Sequence, residues 1–211
     1  PIPIDSGTSL SRILVPTIER VLAYLGMTAR DIDYYALGLG PGSFTALRIG
    51  HSVVKALAWA NHKPVAGIPT LDIISGHPAM PCGDILTVVD AKRSLLYSGF
   101  YRKTSAGVRK LSPERLFSVG ELVSYAKKKF STGKGKEIII VGDGIIQYGD
   151  AIKSVLPEAV FLDKDLWYPQ PQPLISSALR SITAGKLTDP FVVEPIYLYP
   201  QDCQVRGGKQ K

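Results

Sequence analysis

Gly38-Leu39-Gly40-Pro41-Gly42-Ser43-Phe44-Thr45-Ala46-Leu47-Arg48-Ile49-Gly50 is the most informative run of the 211-residue chain. Just before it, Tyr34-Tyr35-Ala36-Leu37 reads as a short buried strand. After it, Thr45 to Ala60 contains no proline and keeps apolar residues at helical spacing. The segment is therefore strand, tight turn and helix. Gly40 and Gly42 supply backbone freedom, Pro41 fixes one φ angle between them, and Ser43 is a good helix N-cap. A glycine-rich turn in front of a helix N-terminus can hold an anion such as a phosphate, which makes Gly40, Gly42 and Ser43 candidate phosphate contacts. A simple capped turn explains the same residues equally well.

The helix adds a second signal. Ala46, Gly50, Val53, Val54 and Leu57 fall at i, i+4, i+7, i+8 and i+11, so one stripe mixes very small residues with branched ones. Such a stripe admits another helix closely, from a partner or from the same domain. Upstream, Leu14, Ile18, Val21, Leu22 and Leu25 draw a second amphipathic helix that Gly26 ends, with Pro16 in its early turns.

The motif Gly-Pro-Gly-Ser-Phe-Thr-x-Leu-Arg-Ile-Gly, Gly40 to Gly50, closely resembles the signature of the TsaB (YeaZ) family, with Ala46 where that family usually has glycine. The resemblance runs from Leu10 to Leu198. It includes Pro64-Val65-Ala66-Gly67-Ile68, the Asp90-Ala91-Lys92-Arg93 hairpin, Val141-Gly142-Asp143-Gly144 and the closing Pro195-Ile196-Tyr197-Leu198. It implies an α/β chain of the actin-like ATPase (ASKHA, ribonuclease H-like) fold with two similar lobes. It also implies a non-catalytic subunit that supports a TsaD-type enzyme in threonylcarbamoyl transfer to an adenosine of tRNA, together with a TsaE-type ATPase. The tRNA would be met indirectly, and two copies would pair when the partner is absent. No cofactor is required on this reading, although weak ATP or ADP binding fits the fold. In actin-like kinases an aspartate of the second hairpin contacts nucleotide phosphates, so Asp90 joins the candidates; an aspartate capping its own turn is the simpler account.

Two other classes compete. A phosphotransferase or ATPase of the same fold needs a phosphate hairpin in the first lobe. Ile4-Asp5-Ser6 resembles the start of one, but a helix follows almost at once, so the first hairpin is missing or the sequence joins across a gap. A metallopeptidase needs converging metal ligands. TsaD-like relatives carry two ligating histidines on the first helix, where this chain has Ser9 to Ile13. Its three histidines, His51, His62 and His77, include no pair four apart. No metal site is expected, and His51 is expected at a surface or interface.

The expected partner surface consists of Leu14 and Ile18 on the first helix and Ala46, Gly50, Val53, Val54 and Leu57 on the second, paired as a four-helix contact buried at Gly50 and Val54. Domain limits are read as 1–79 for the first lobe, with a Pro- and Gly-rich hinge at Gly76 to Gly83, 80–199 for the second, and 200–211 for a basic tail. In the second lobe, Ile85 to Arg93 and Leu95 to Tyr101 read as paired strands, and Ser118-Val119-Gly120-Glu121 as a capping box opening a helix. Glu137 to Val141 and Val160 to Leu162 read as strands, Ile145 to Leu156 as a helix, and Pro169, Pro171 and Pro173 as an extended linker before a helix from Leu174 to Gly185.

Composition sets limits. No run reaches the ~18 apolar residues of a membrane span, and the first residues lack a basic-then-apolar signal, so a cytoplasmic protein is expected. Cys82 and Cys203 lack metal-ligand spacing and read as free thiols. The net charge of +7 is uneven. Lys92 to Lys136 holds twelve Lys and Arg against Glu114 and Glu121, leaving +10 there and −3 elsewhere. A solvated face explains this, as does a basic surface for RNA or an acidic partner.

Overall fold

The structure is a computed structural model and describes residues 9–130 and 137–199. Asp5, Lys134, Lys136, Cys203 and the 200–211 tail lie outside the described residues.

The first lobe begins with α1 (Leu10–Tyr24), which carries Pro16 inside it. It continues through β1 (Tyr35–Gly38), α2 (Phe44–Ala60), β2 (Val65–Ile68) and α3 (Thr70–Ser75). The strands β1 and β2 pair in parallel, Tyr35 opposite Val65 and Gly38 opposite Ile68, which requires the α2 crossover between them. Only Leu37 of β1 is buried and Ala36 is exposed, so the expected buried strand is a half-buried one with β2 as its neighbour among the described residues. Thr70 is the first residue of α3, and its amide donates to Gly40 O at 2.7 Å, which ties the helix to the glycine turn.

The second lobe is a five-stranded sheet in the order β5-β4-β3-β6-β7. The strands are β3 (Gly83–Lys92), β4 (Leu95–Thr104), β5 (Gly107–Phe117), β6 (Ile138–Val141) and β7 (Ala159–Phe161). The first three form an antiparallel meander, and β3-β6-β7 pair in parallel. The helix α4 (Val119–Lys129) follows β5, and α5 (Ile145–Val155) crosses from β6 to β7. The unit β6-α5-β7 thus repeats β1-α2-β2, which is the likeness between the lobes. The β3-β4-β5 meander has no counterpart among the described residues of the first lobe.

Alternation along the strands divides the second lobe's core. Leu86, Val88, Leu96, Phe100, Ile138 and Ile140 face α4 and α5, whereas Ile85, Tyr101, Ile139 and Val141 face α3 and Trp167. Phe100 anchors the first face, with ring centroids 5.0 Å from Tyr125, 5.5 Å from Phe130 and 6.1 Å from Phe117. Ser118 and Glu121 form the expected capping box: the Ser118 amide donates to Glu121 Oε2 at 2.9 Å and the Glu121 amide to Ser118 Oγ at 3.4 Å.

The chain does not remain in the second lobe to residue 199. The helix α6 (Pro171–Thr183) packs on β1, β2 and α3, and Val65 and Thr188 exchange backbone hydrogen bonds at 2.9 Å. Val193 joins Leu37, Ala58 and Val65 in the first lobe's core. Pro171 and Pro173 belong to α6 rather than to a linker, because a first helical turn has no intrahelical acceptor for the N–H that proline lacks. The lobes are further joined through α3: Tyr101 donates its hydroxyl to Asp72 Oδ1 at 2.7 Å, and Lys110 pairs with the same carboxylate at 2.9 Å. Burial, then the Asp72 charge, holds the Tyr101 phenol well above its ordinary value.

Candidate functional site

The turn that opens α2 sits on a cleft of about 1360 Å³ between the lobes. Gly40 has φ +100°, and a Cβ there would lie 2.9 Å from Leu47 Cδ1 and 3.3 Å from Ile196 O, so the position demands glycine. A Cβ at Gly42 would meet nothing within 4 Å, and the φ there is open to other residues. Ser43 caps α2, accepting from the Ala46 amide at 3.5 Å. The first two helical amides, Phe44 and Thr45, donate to no protein acceptor among the described residues. Arg48 lies 3.9 Å above the Phe44 ring, and Phe44 packs against Tyr197 at 5.5 Å, giving this wall an aromatic rim.

Asp90 lies on the facing wall, at the end of β3, so the cleft brings together Gly42, Ser43 and Asp90 from opposite lobes. Its oxygens serve its own turn: Oδ1 accepts from the Lys92 amide at 2.9 Å and Oδ2 pairs with Lys92 Nζ at 2.5 Å. Burial pushes the Asp90 carboxyl up, but the Lys92 hydrogen bonds and charge outweigh it and hold the group below its ordinary value. The turn is unusual in its backbone. Lys92, Arg93 and Ser94 all have positive φ, at 64°, 52° and 60°. Non-glycine residues hold such angles only when their surroundings over-determine them. Here Asp143 Oδ1 accepts from the Asp90 amide at 2.9 Å, and Tyr199 donates its hydroxyl to Ala91 O at 2.7 Å.

Tyr199 is a residue that sequence reasoning missed. Gly142-Asp143-Gly144 after a strand suits a place near a nucleotide's ribose or base as well as a plain turn, and Asp143 does line the cleft, but nothing in the sequence pairs it with Asp90, 53 positions away. His51 is a correction. It is buried rather than at a surface: Nδ1–H donates to Leu47 O at 2.8 Å one helical turn back, while Nε2 is buried without a hydrogen-bond partner among the described residues where the ring lines the cleft. Burial holds its imidazole below the ordinary value.

The expected partner stripe divides. Gly50 faces its own strand, where a Cβ would lie 3.8 Å from Leu37 Cδ1, and Val54 packs on the first lobe's core. Those two positions therefore serve the lobe itself, where the crossover helix must cover β1 and β2. Ala46 is exposed and Val53 and Leu57 are half-buried. The helix α1 packs against α2, has Leu14 and Ile18 half-buried, and contains no buried residue, while Val15, Val21, Tyr24 and Leu25 are exposed. Among the described residues no cluster of three His, Cys, Asp or Glu could hold a metal ion, and no helix is long and apolar enough to cross a membrane.

The model of the family described as "TsaD: tRNA N6-adenosine threonylcarbamoyltransferase" matches residues 2–180. The Escherichia coli (strain K12) protein described as "tRNA threonylcarbamoyladenosine biosynthesis protein TsaB" is 26% identical over 187 residues, 88% of this chain and 78% of that protein. The Bacillus subtilis (strain 168) protein of the same description is 23% identical over 148 residues. The chain belongs to the TsaD-type family, in its TsaB (YeaZ) group. The Bacillus match covers 70% of this chain and 62% of that relative's length. Two solved structures from Pseudomonas aeruginosa share the fold. One, described as similar to peptidase YEAZ, has a TM-score of 0.73 at 23% identity and covers 89% of this chain and 83% of its own. The other, YeaZ, has a TM-score of 0.72 at 22% identity and covers 90% and 86%. The actin-like α/β architecture read from the sequence is thereby the observed one.

Proposed function

We propose that this chain is a non-catalytic, cytoplasmic partner subunit that supports a TsaD-type enzyme in threonylcarbamoyl transfer to an adenosine of tRNA. The observation that carries the reading is α1: fifteen residues with an apolar stripe and not one buried side chain, laid beside α2. An amphipathic helix stabilises a fold by burying its apolar face, so a half-covered face of this kind fits a partner helix. The relatives' names supply the pathway, and the family model supplies the kind of partner. A second copy of the chain would use the same face when that partner is absent, and a TsaE-type ATPase would join the assembled pair.

The cleft fits a dispensable role for nucleotide. Asp90 is paired with Lys92, and Asp143, the other carboxylate lining the cleft, accepts from the Asp90 amide, so both serve the hairpin while ATP or ADP would meet the Phe44 and Thr45 amides on the opposite wall. A phosphotransferase reading asks more of this site than its residues offer.

The test is association. Val21→Arg places a charge at an exposed position of α1 without touching either lobe's core. Sedimentation of the chain with a TsaD-type subunit should give a heterodimer for the wild type and separate species for the variant, with unchanged circular dichroism. Equal association of both would remove α1 from the interface.

A further inference from the structure

Part of the charge excess that begins at Lys92, namely Arg109, Arg115 and Lys127 to Lys129, is gathered by the fold onto one side of the second lobe. Arg115 is opposite Ser98 and Arg109 opposite Arg102 in the β4–β5 register, so both arginines stand on the sheet face that carries α4. Arg115 is 5.2 Å from the Tyr125 ring of α4. Tyr125 and Phe130 both pack on Phe100, so the last turns of α4, with Lys127, Lys128 and Lys129, run along the same face. Arg109 and Arg115 are separated by six residues of one edge strand, roughly 15–20 Å at ~3.3 Å per residue less two register shifts.

What distinguishes this face is the lack of neutralisation. Arg102 is paired with Asp84, and Lys110 with Asp72 and Glu114. Among the described residues Arg109, Arg115, Lys127, Lys128 and Lys129 have no carboxylate partner. Glu121 on the same helix is held in its capping box. The cations flank a half-buried tyrosine already stacked by Arg115, and β5 presents only Val108 as an exposed large apolar side chain. A protein interface of standard size needs an apolar centre, which is missing here; a polyanion needs only spaced cations and an occasional stacking surface.

We propose that Arg109, Arg115, Lys128 and Lys129 form a binding surface for the phosphate backbone of a folded RNA. The contact is sequence-independent: it positions the RNA and does not read its bases. Taking that RNA to be the tRNA substrate rests on the partner-subunit reading above, while the surface rests on its own charge and geometry.

The experiment measures binding of unmodified tRNA transcript to the full chain by fluorescence anisotropy from about 50 to 200 mM salt. The variant replaces Arg109, Arg115, Lys128 and Lys129 together by alanine. All four sites are outside both cores, and circular dichroism checks the fold. The wild type should bind with a steep salt dependence. The variant should bind at least tenfold more weakly at low salt, with a log–log slope reduced by about 3, from ~0.7–0.9 per lost phosphate contact. Arg115→Lys should fall between them, because it keeps the charge and loses the planar stack on Tyr125. Equal affinity and slope for wild type and quadruple variant would overturn the proposal, as would absence of RNA binding by the wild type with capture of an acidic protein through the same residues. Val21→Arg separates the two readings: it should leave RNA binding by the isolated chain intact. A wild-type chain that binds RNA but does not stimulate the partner refutes only the partner reading, and one that stimulates the partner without binding RNA refutes only this one.

Discussion

Replacing Gly142 by alanine should be among the most damaging single changes in the second lobe. Gly142 follows β6 with φ +122°, and a Cβ there would lie 2.1 Å from Val88 O and 2.8 Å from Val88 C. Both distances are far below the ~3.5 Å at which carbon contacts become favourable, and the obstacle is backbone of the central strand β3, which cannot rotate away. The positive φ adds about 1–3 kcal/mol of strain. Together they place the cost near ~4 kcal/mol, at the upper end of single substitutions. With an m-value of about 2 kcal/mol/M in urea, the unfolding midpoint should fall by roughly 2 M. Gly42→Ala is the control: nothing lies within 4 Å of a Cβ there and its φ is not positive, so the change should be neutral or stabilising by about 0.4–1 kcal/mol. A Gly142→Ala midpoint within about 0.25 M of wild type, equivalent to ~0.5 kcal/mol at that slope, would refute the claim that β3 and the Gly142 turn are locked together.

Other consequences follow from the same contacts. Asp143→Ala removes the acceptor for the Asp90 amide and should destabilise the chain by about 1–3 kcal/mol, whereas Asp143→Asn keeps an oxygen there and should cost less; amide exchange at Asp90 would rise for the alanine variant first. Because burial lowers the His51 pKa in the folded state, the unfolded chain takes up the proton more readily. Stability is therefore fully present above the ordinary imidazole value and should decline as pH falls through it toward the folded value. A His51→Gln variant should show a flatter stability profile between about pH 7 and 5, and an unchanged profile would contradict the assignment.

Elements with a strong period were legible in the sequence. The β1-α2-β2 unit, the capping box of α4 and the parallel β6 carry their signals within a few residues, where steric and hydrogen-bonding rules act. The edge strand β5 was not: it contains Pro113 and several charged residues, and its place is fixed by pairing with β4. The return of α6 to the first lobe was also hidden, since its first-turn prolines look like a linker and its packing partners are about a hundred residues away or more. At the cleft, Gly40 announced itself through its neighbours, and Asp90 through its hairpin. The restraint of that hairpin by Asp143 and Tyr199 became visible only in three dimensions. Gly50 shows the converse: its small size suggests an outside contact, whereas in this structure it faces Leu37 of its own lobe.

The most direct test of the account is threonylcarbamoyl transfer to tRNA by a TsaD-type enzyme with its other required partners, measured with and without this chain. The account predicts strong dependence on the chain, none from the chain alone, and loss of the stimulation with Val21→Arg. Full transfer without the chain would contradict it.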